Sequence, residues 1–219
     1  ADGWIVIQDH SIRLFNADGS EAEISGNGTR CAAALVIDTE GAADQVTIQT
    51  GAGPKHLRLL GRDGRRFLFE MNMGSPVFDA REIRRNIPLE SGPREVTILN
   101  VGNPQCVVFV DSFPENWEAL GAQIEGHPRF PKRTNVSFVR VVDGHTIETR
   151  FYERGAGVTL SSGTGSTGAA VAAILRKVAS SPVTVHTPAG ESLQLRWDES
   201  VYLTGPAEII SAGEFYFSA

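Results

Sequence analysis

Two serines, Ser25 and Ser162, stand at the head of near copies of one nine-residue stretch. The first copy is Ser25-Gly26-Asn27-Gly28-Thr29-Arg30-Cys31-Ala32-Ala33; the second is Ser162-Gly163-Thr164-Gly165-Ser166-Thr167-Gly168-Ala169-Ala170, 137 positions later. Both fit S-G-x-G-[TS]-x-x-A-A, and each runs into a small-residue segment suited to a helix. A glycine-rich helix start presents uncrowded backbone N–H groups, so two of them facing one space would hold an anion such as a carboxylate. The competing reading is that Gly28 and Gly165 only let the helices approach a sheet closely. The companion positions favour a site: Asn16 and Glu153 each lie nine residues before the motif serine. Asp18, Glu21, Glu23, Arg30 and Arg154 gather around the same stretches. A guanidinium at Arg154, between a strand end and a glycine loop, suits a bidentate carboxylate, whereas Arg30 fits a solvated or structural role as well as a ligand role. Asn103 in Gly102-Asn103-Pro104 and Asn135 after Thr134 are loop asparagines that serve either as turn residues or as ligands.

Other chemistries are set aside by pattern. The five histidines form no H-E-x-x-H or histidine–cysteine cluster, so no metal site is expected. There is no G-x-S-x-G elbow around either serine, no dinucleotide fingerprint in frame with a strand, and no Walker lysine. A net charge of -6, from 20 basic and 26 acidic residues spread evenly, offers no polycation for nucleic acid. The longest apolar stretch is too short and alanine-rich to span a bilayer, and no basic start precedes an apolar targeting segment. Cytoplasm is the expectation. Cys31 and Cys106 are the only cysteines; they make no disulfide scaffold, and Cys31 reads as buried packing.

The elements that must position these residues follow from alternation and turn signals. Strands are expected over residues 4–7, 10–15, 46–50, 55–60 and 65–71, with a helix over 29–38. Residues 81–92 read as a polar linker. Strands over 95–101 and 105–110, a short helix over 117–124, and strands over 136–142 and 146–152 follow. A second alanine-rich helix covers 165–177. Strands over 183–186, 193–197 and 201–203 come next, and Thr204-Gly205-Pro206 interrupts before strands over 207–210 and 215–217. Many hairpin-like turns and only two substantial helices argue against a doubly wound sheet. The fold class is α+β, in two similar lobes.

These residues carry a resemblance. Phe15-Asn16-Ala17-Asp18-Gly19-Ser20-Glu21, Gly26-Asn27-Gly28-Thr29-Arg30-Cys31, Gly102-Asn103-Pro104, Arg129-Phe130-Pro131 before Asn135, Tyr152-Glu153-Arg154-Gly155-Ala156-Gly157, Gly163-Thr164-Gly165 and Thr204-Gly205-Pro206 occur in the order seen in diaminopimelate epimerases. The resemblance implies two pseudosymmetric lobes, each a mixed sheet wrapped around a central helix, with the C-terminal strand returning to the first lobe. That groups residues 1–73 with 204–219, and leaves 74–203 as the second lobe. It implies no cofactor, a small amino acid or dicarboxylate-like substrate, a homodimer, and inversion of an α-carbon by two opposed acid–base groups, converting LL- to meso-diaminopimelate. Gly26, Asn27, Gly163 and Thr164 would hold the α-carboxylate; Asn16, Asn103, Asn135 and Arg154 the distal end; Glu153 an ammonium group.

The sequence departs from the family where the chemistry should sit. The catalytic pair aligns with Ser25 and Ser162, where the family has cysteines. A thiol near pKa ~8.5 is readily lowered by a helix N-terminus; a hydroxyl is a far weaker acid, and each pKa unit costs about 1.4 kcal/mol. The histidine that commonly follows Gly-Asn-Pro is Gln105. An additional N-terminal segment with a G-N-D-F-like motif is also expected, so the first lobe reads as incomplete. Two alternatives therefore stand beside epimerisation: a catalytically inactive amino-acid-binding homologue, and a nonepimerising isomerase of the same superfamily.

Overall fold

The computed structural model describes residues 3–16, 18–41 and 44–214. Two runs of the chain fold alike. The first comprises β1 (Gly3–Gln8), β2 (Ser11–Asn16), β3 (Glu21–Ala22), α1 (Gly26–Glu40), β4 (Gln45–Thr50), β5 (Gly53–Asp63) and β6 (Arg66–Gly74). A middle stretch follows: β7 (Val77–Phe78), a 3-10 turn (Ala80–Glu82), β8 (Arg85–Leu89), β9 (Gly92–Asn100), β10 (Pro104–Phe109) and α2 (Trp117–Glu125). The second run is β11 (Asn135–Asp143), β12 (Thr146–Glu153), β13 (Gly157–Thr159), α3 (Gly163–Leu175), β14 (Val183–His186), β15 (Ser192–Trp197) and β16 (Val201–Glu208).

The pairing repeats with the order. β1 lies antiparallel to β2, β3 flanks β2, and β4 runs parallel to β2. Likewise β11 lies antiparallel to β12, β13 flanks β12, and β14 runs parallel to β12. Antiparallel meanders β4-β5-β6 and β14-β15-β16 complete each run. The runs join where β16 lies antiparallel to β6, with Leu203 opposite Met71. Read outward from that junction, the strand order is the same on both sides, and β10, β9 and β7 extend the second side.

The two expected sheets are thus one continuous path, and β16 runs straight through Thr204-Gly205-Pro206, which does not interrupt it. The Pro206 carbonyl accepts a bond from Arg30 Nε at 3.0 Å. A residue's N and O point to one side of a strand, so the missing proline N–H faces away from β6 and costs no ladder bond there. Residues 81–92 are also structured, since β8 and β9 form a hairpin that buries Ile87; with one buried apolar side chain, the strand gives little alternation to read. The strand expected over 215–217 lies outside the described residues.

Period-two burial fixes the sheet's inner face: Phe67, Phe69, Met71 and Met73 on β6, and Val201, Leu203 and Ala207 on β16. That face wraps α1 and α3, whose Ala32, Ala33, Ala34, Ala169, Ala170, Ala172 and Ala173 share its core. Residues 163–173 of α3 are buried without exception, as expected of a helix with small or apolar residues all round. A second cluster, with Trp117, Ile124 and Phe138, packs α2 against the other face.

Candidate active site

Each large helix begins on its motif serine. Ser25 and Ser162 are N-caps with extended backbones, and their hydroxyls accept the Gly28 amide at 3.1 Å and the Gly165 amide at 3.0 Å. Their carbonyls take the next amides, Thr29 and Ser166, each at 2.9 Å. The Gly26 and Asn27 amides of α1, and the Gly163 and Thr164 amides of α3, remain as the first donors of the two helices. The helices meet at these ends: a Cβ on Gly26 would stand 2.8 Å from Gly163 Cα, and one on Gly163 would stand 2.8 Å from Gly26 Cα. Only glycine at both positions permits that approach. Two positive dipole ends therefore share one point.

A cavity of about 350 Å³ opens there. Every residue given a catalytic or substrate-binding place from the sequence lines it: Ser25 and Ser162, then Asn16, Gly26, Asn27, Asn103, Asn135, Glu153, Arg154, Gly163 and Thr164; Glu23 joins them, whereas Asp18 and Glu21 do not. The nine-residue spacing has a physical basis, since Asn16 ends β2 and Glu153 ends β12. From each the chain turns back through a short flanking strand, β3 or β13, before reaching its capping serine.

The two sides differ in hydrogen bonding. Ser162 donates to Glu153 Oε1 at 2.6 Å, which gives its hydroxyl a carboxylate partner; the Ser25 hydroxyl caps Gly28. Asn103 donates to Thr164 Oγ1 at 3.3 Å and accepts from Gln105 Nε2 at 2.7 Å, and Gln105 is fully buried. Asn135 bridges Pro104 O at 2.9 Å and the Arg154 amide at 3.0 Å. The Arg154 guanidinium pairs with Glu23, linking the second repeat to the first within the cavity lining. A ligand carboxylate on Arg154 would compete with that pair.

Sequence reasoning misplaced one residue and missed others. Cys31 is exposed and lines the cavity, where buried packing was expected. It lies four residues after Asn27 on α1 and so shares its face, a signal present in the spacing. Neighbouring protein still raises its thiol pKa by desolvation, partly opposed by Arg30. Trp4, Ile5, Leu14 and Phe15 supply an apolar wall from β1 and β2, which no polar motif marks. Arg30 is buried at 2% exposure and lies behind the cavity, not in its lining. Among the described residues, no cluster of His, Cys, Asp and Glu could hold a metal ion, and no helix is long and apolar enough to cross a membrane.

The fold groups with solved racemases and epimerases. It is similar to a hydroxyproline epimerase from Agrobacterium vitis, with a TM-score of 0.71 at 17% identity over 93% of this chain and 69% of that one. A predicted epimerase from Pseudomonas aeruginosa gives a TM-score of 0.63 at 20% identity over 96% and 84%. The sequence narrows the class. The diaminopimelate epimerase family model matches residues 1–78 and 97–210. The diaminopimelate epimerase of Pelotomaculum thermopropionicum is 39% identical over 98% of this chain and 83% of its own length; that of Nostoc punctiforme is 39% identical over 94% and 79%. The chain belongs to the diaminopimelate epimerase family, among the isomerases of diaminopimelate and lysine biosynthesis.

Proposed function

We propose that the chain binds an amino acid with a second polar end, of the diaminopimelate type, and acts at its α-carbon between Ser25 and Ser162. The α-carboxylate sits on the amides of Gly26, Asn27, Gly163 and Thr164. Asn16, Asn103, Asn135 and Arg154 hold the distal end, with Glu153 toward an ammonium group. The observation that carries this reading is the contact of two serine-capped helix starts at Gly26 and Gly163, inside one cavity that all these residues line. Helix N-termini favour negative charge as the α-carbon loses its proton. In the two-base form, one of Ser25 and Ser162 takes that proton while the other supplies a different one from the opposite face, converting LL- to meso-diaminopimelate without a cofactor.

A specific observation favours a second form. Both serine hydroxyls cap an amide, and among the described residues Ser162 adds a carboxylate at 2.6 Å that Ser25 lacks, so acid–base help is concentrated on one face. One-sided chemistry exchanges or relocates a proton without inverting the centre, as a nonepimerising isomerase would. The discriminating experiment follows LL-diaminopimelate in heavy water by mass and chirality together, with the unchanged chain beside Ser25→Cys plus Ser162→Cys. Exchange with inversion by the unchanged chain supports two-base chemistry on serine. Exchange without inversion supports the one-sided form. Activity in the cysteine variant alone means that the site is intact and lacks only its thiols; neither protein exchanging the proton while both bind leaves an amino-acid-binding homologue.

The same reading groups residues 1–73 with 204–219 as one lobe and 74–203 as the other, supported by Thr204 to Glu208 running along β6. It also takes the chain as a cytoplasmic homodimer that binds no nucleic acid, in keeping with its net charge of -6.

A further inference from the structure

Arg30 is one of the largest fully buried side chains, yet its hydrogen bonds go to neutral oxygens: Nε to Pro206 O at 3.0 Å, Nη1 to Gly26 O at 3.2 Å and Nη2 to Asn27 Oδ1 at 3.0 Å. Burial lowers its pKa to about 10, which leaves it cationic at neutral pH. Taking a cation out of water with no carboxylate in hydrogen-bond contact is costly, and Glu191 offsets this only through space, so the position of the charge calls for an explanation. It lies directly behind the helix contact, because a Cβ on Gly163 would stand 3.4 Å from Arg30 Nη1. The carbonyl that accepts from Nη1 belongs to the same peptide unit as the Asn27 N–H. A cation on the oxygen of a peptide polarises its N–H, making it a stronger donor. Through Nη2, Arg30 also holds the Asn27 amide, whose Nδ2 donates to Ser161 O at 3.1 Å, next to Ser162.

We infer that Arg30 is a positioning residue whose buried charge acts through the Gly26–Asn27 peptide on the ligand's α-carboxylate, which is its counter-ion across one peptide thickness. This rests on the carboxylate assignment made above. It gives Arg30 a task without contact: it strengthens the anion site from behind and fixes both helix starts.

The test compares LL-diaminopimelate with its dicarboxamide, which keeps shape and ammonium groups but lacks the negative charge, by calorimetric titration of the unchanged chain, Arg30→Lys and Arg30→Gln. The unchanged chain is expected to prefer the acid. Arg30→Gln should weaken the acid about 10- to 100-fold and shift the amide by less than about threefold, which cuts the preference to the share that Arg154 gives the distal carboxylate, while Arg30→Lys retains most of it. Equal weakening of acid and amide, or a lysine variant as weak as the glutamine one, would overturn the inference and leave a packing role. If the unchanged chain shows no preference, the carboxylate assignment itself fails and this inference falls with it; if it shows one that Arg30→Gln keeps in full, only this inference fails. Should the variants not fold, the Arg30 Nε–H NMR resonance of the unchanged chain decides: it should move on saturation with the acid and stay with the amide, and equal behaviour refutes the role.

Discussion

Replacing Gly163 with alanine tests the helix contact on which the site depends. The new methyl would stand 2.8 Å from Gly26 Cα, 3.2 Å from Gly26 C and 3.4 Å from Arg30 Nη1. Carbon atoms rest at about 3.5–4.0 Å, so the helix starts must part by roughly 0.7–1.2 Å. The nearest obstacle is backbone, with no flexible side chain to swing aside. Overpacking of this kind costs about 1–3 kcal/mol, against which the reduced freedom of the unfolded alanine chain returns about 0.4–1 kcal/mol. The expected result is a net loss centred on about 1.3 kcal/mol, within about 0–2.6 kcal/mol, in urea unfolding, with an unchanged slope. The same movement takes one pair of amides out of hydrogen-bond range of a carboxylate held by the other, so affinity for diaminopimelate should fall about 10- to 100-fold by calorimetry. Gly26→Ala should behave alike, because it meets the same contact from the other side. If Gly163→Ala is as stable as the unchanged chain and binds as tightly, the two helix starts are not in contact as described and the argument for a shared anion site fails.

Three further outcomes are expected. Gly121→Ala, which in an exposed helix would stabilise by about 1 kcal/mol, should instead destabilise by about 1–3 kcal/mol, because its methyl would lie 2.7 Å from Tyr152 Cβ; a raised urea midpoint would contradict this. A thiol reagent at mildly alkaline pH should label the folded chain once, at exposed Cys31, and the denatured chain twice, because buried Cys106 is both inaccessible and held in the neutral thiol form by desolvation; mass spectrometry reads the count, and double labelling of folded protein would be the contrary result. Ser162→Ala should lower stability by about 1 kcal/mol through loss of its cap, whereas Glu153→Gln, which leaves that cap in place, should lower any α-proton exchange more than stability. Equal exchange rates in Glu153→Gln and the unchanged chain would remove the carboxylate from the chemistry.

Much of the site could be read from the chain because the fold repeats. A nine-residue motif and a polar residue nine positions before it recur, and in three dimensions each copy becomes a strand end, a short returning strand and a capped helix. What the sequence conceals is what depends on partners far away in it. The two-residue strand β3 and the three-residue strand β13 exist by pairing with β2 and β12, too short to show alternation. Pro206 signals a break, but the strand around it survives because its carbonyl is turned to Arg30. Arg30 itself looks like any surface arginine until the sheet closes over it. The bond from Ser162 to Glu153 links a motif serine to the polar residue nine positions before it, which the spacing had marked only as the counterpart of Asn16.

The placement of β16 has a consequence for how the chain is made. Its residues 201–208 close the edge of β6, which ends at Gly74, so on a ribosome the first repeat emerges long before the strand that borders it has been synthesised. Until then β6 presents a row of unpaired backbone groups beside Phe67, Phe69 and Met71, a surface prone to wrong pairing. Residues 3–74 of a chain stalled at position 200 are therefore expected to be cut readily by protease, and resistance should appear only once residues 201–208 have left the exit tunnel. Protection of the first repeat before that point would show that it closes on its own.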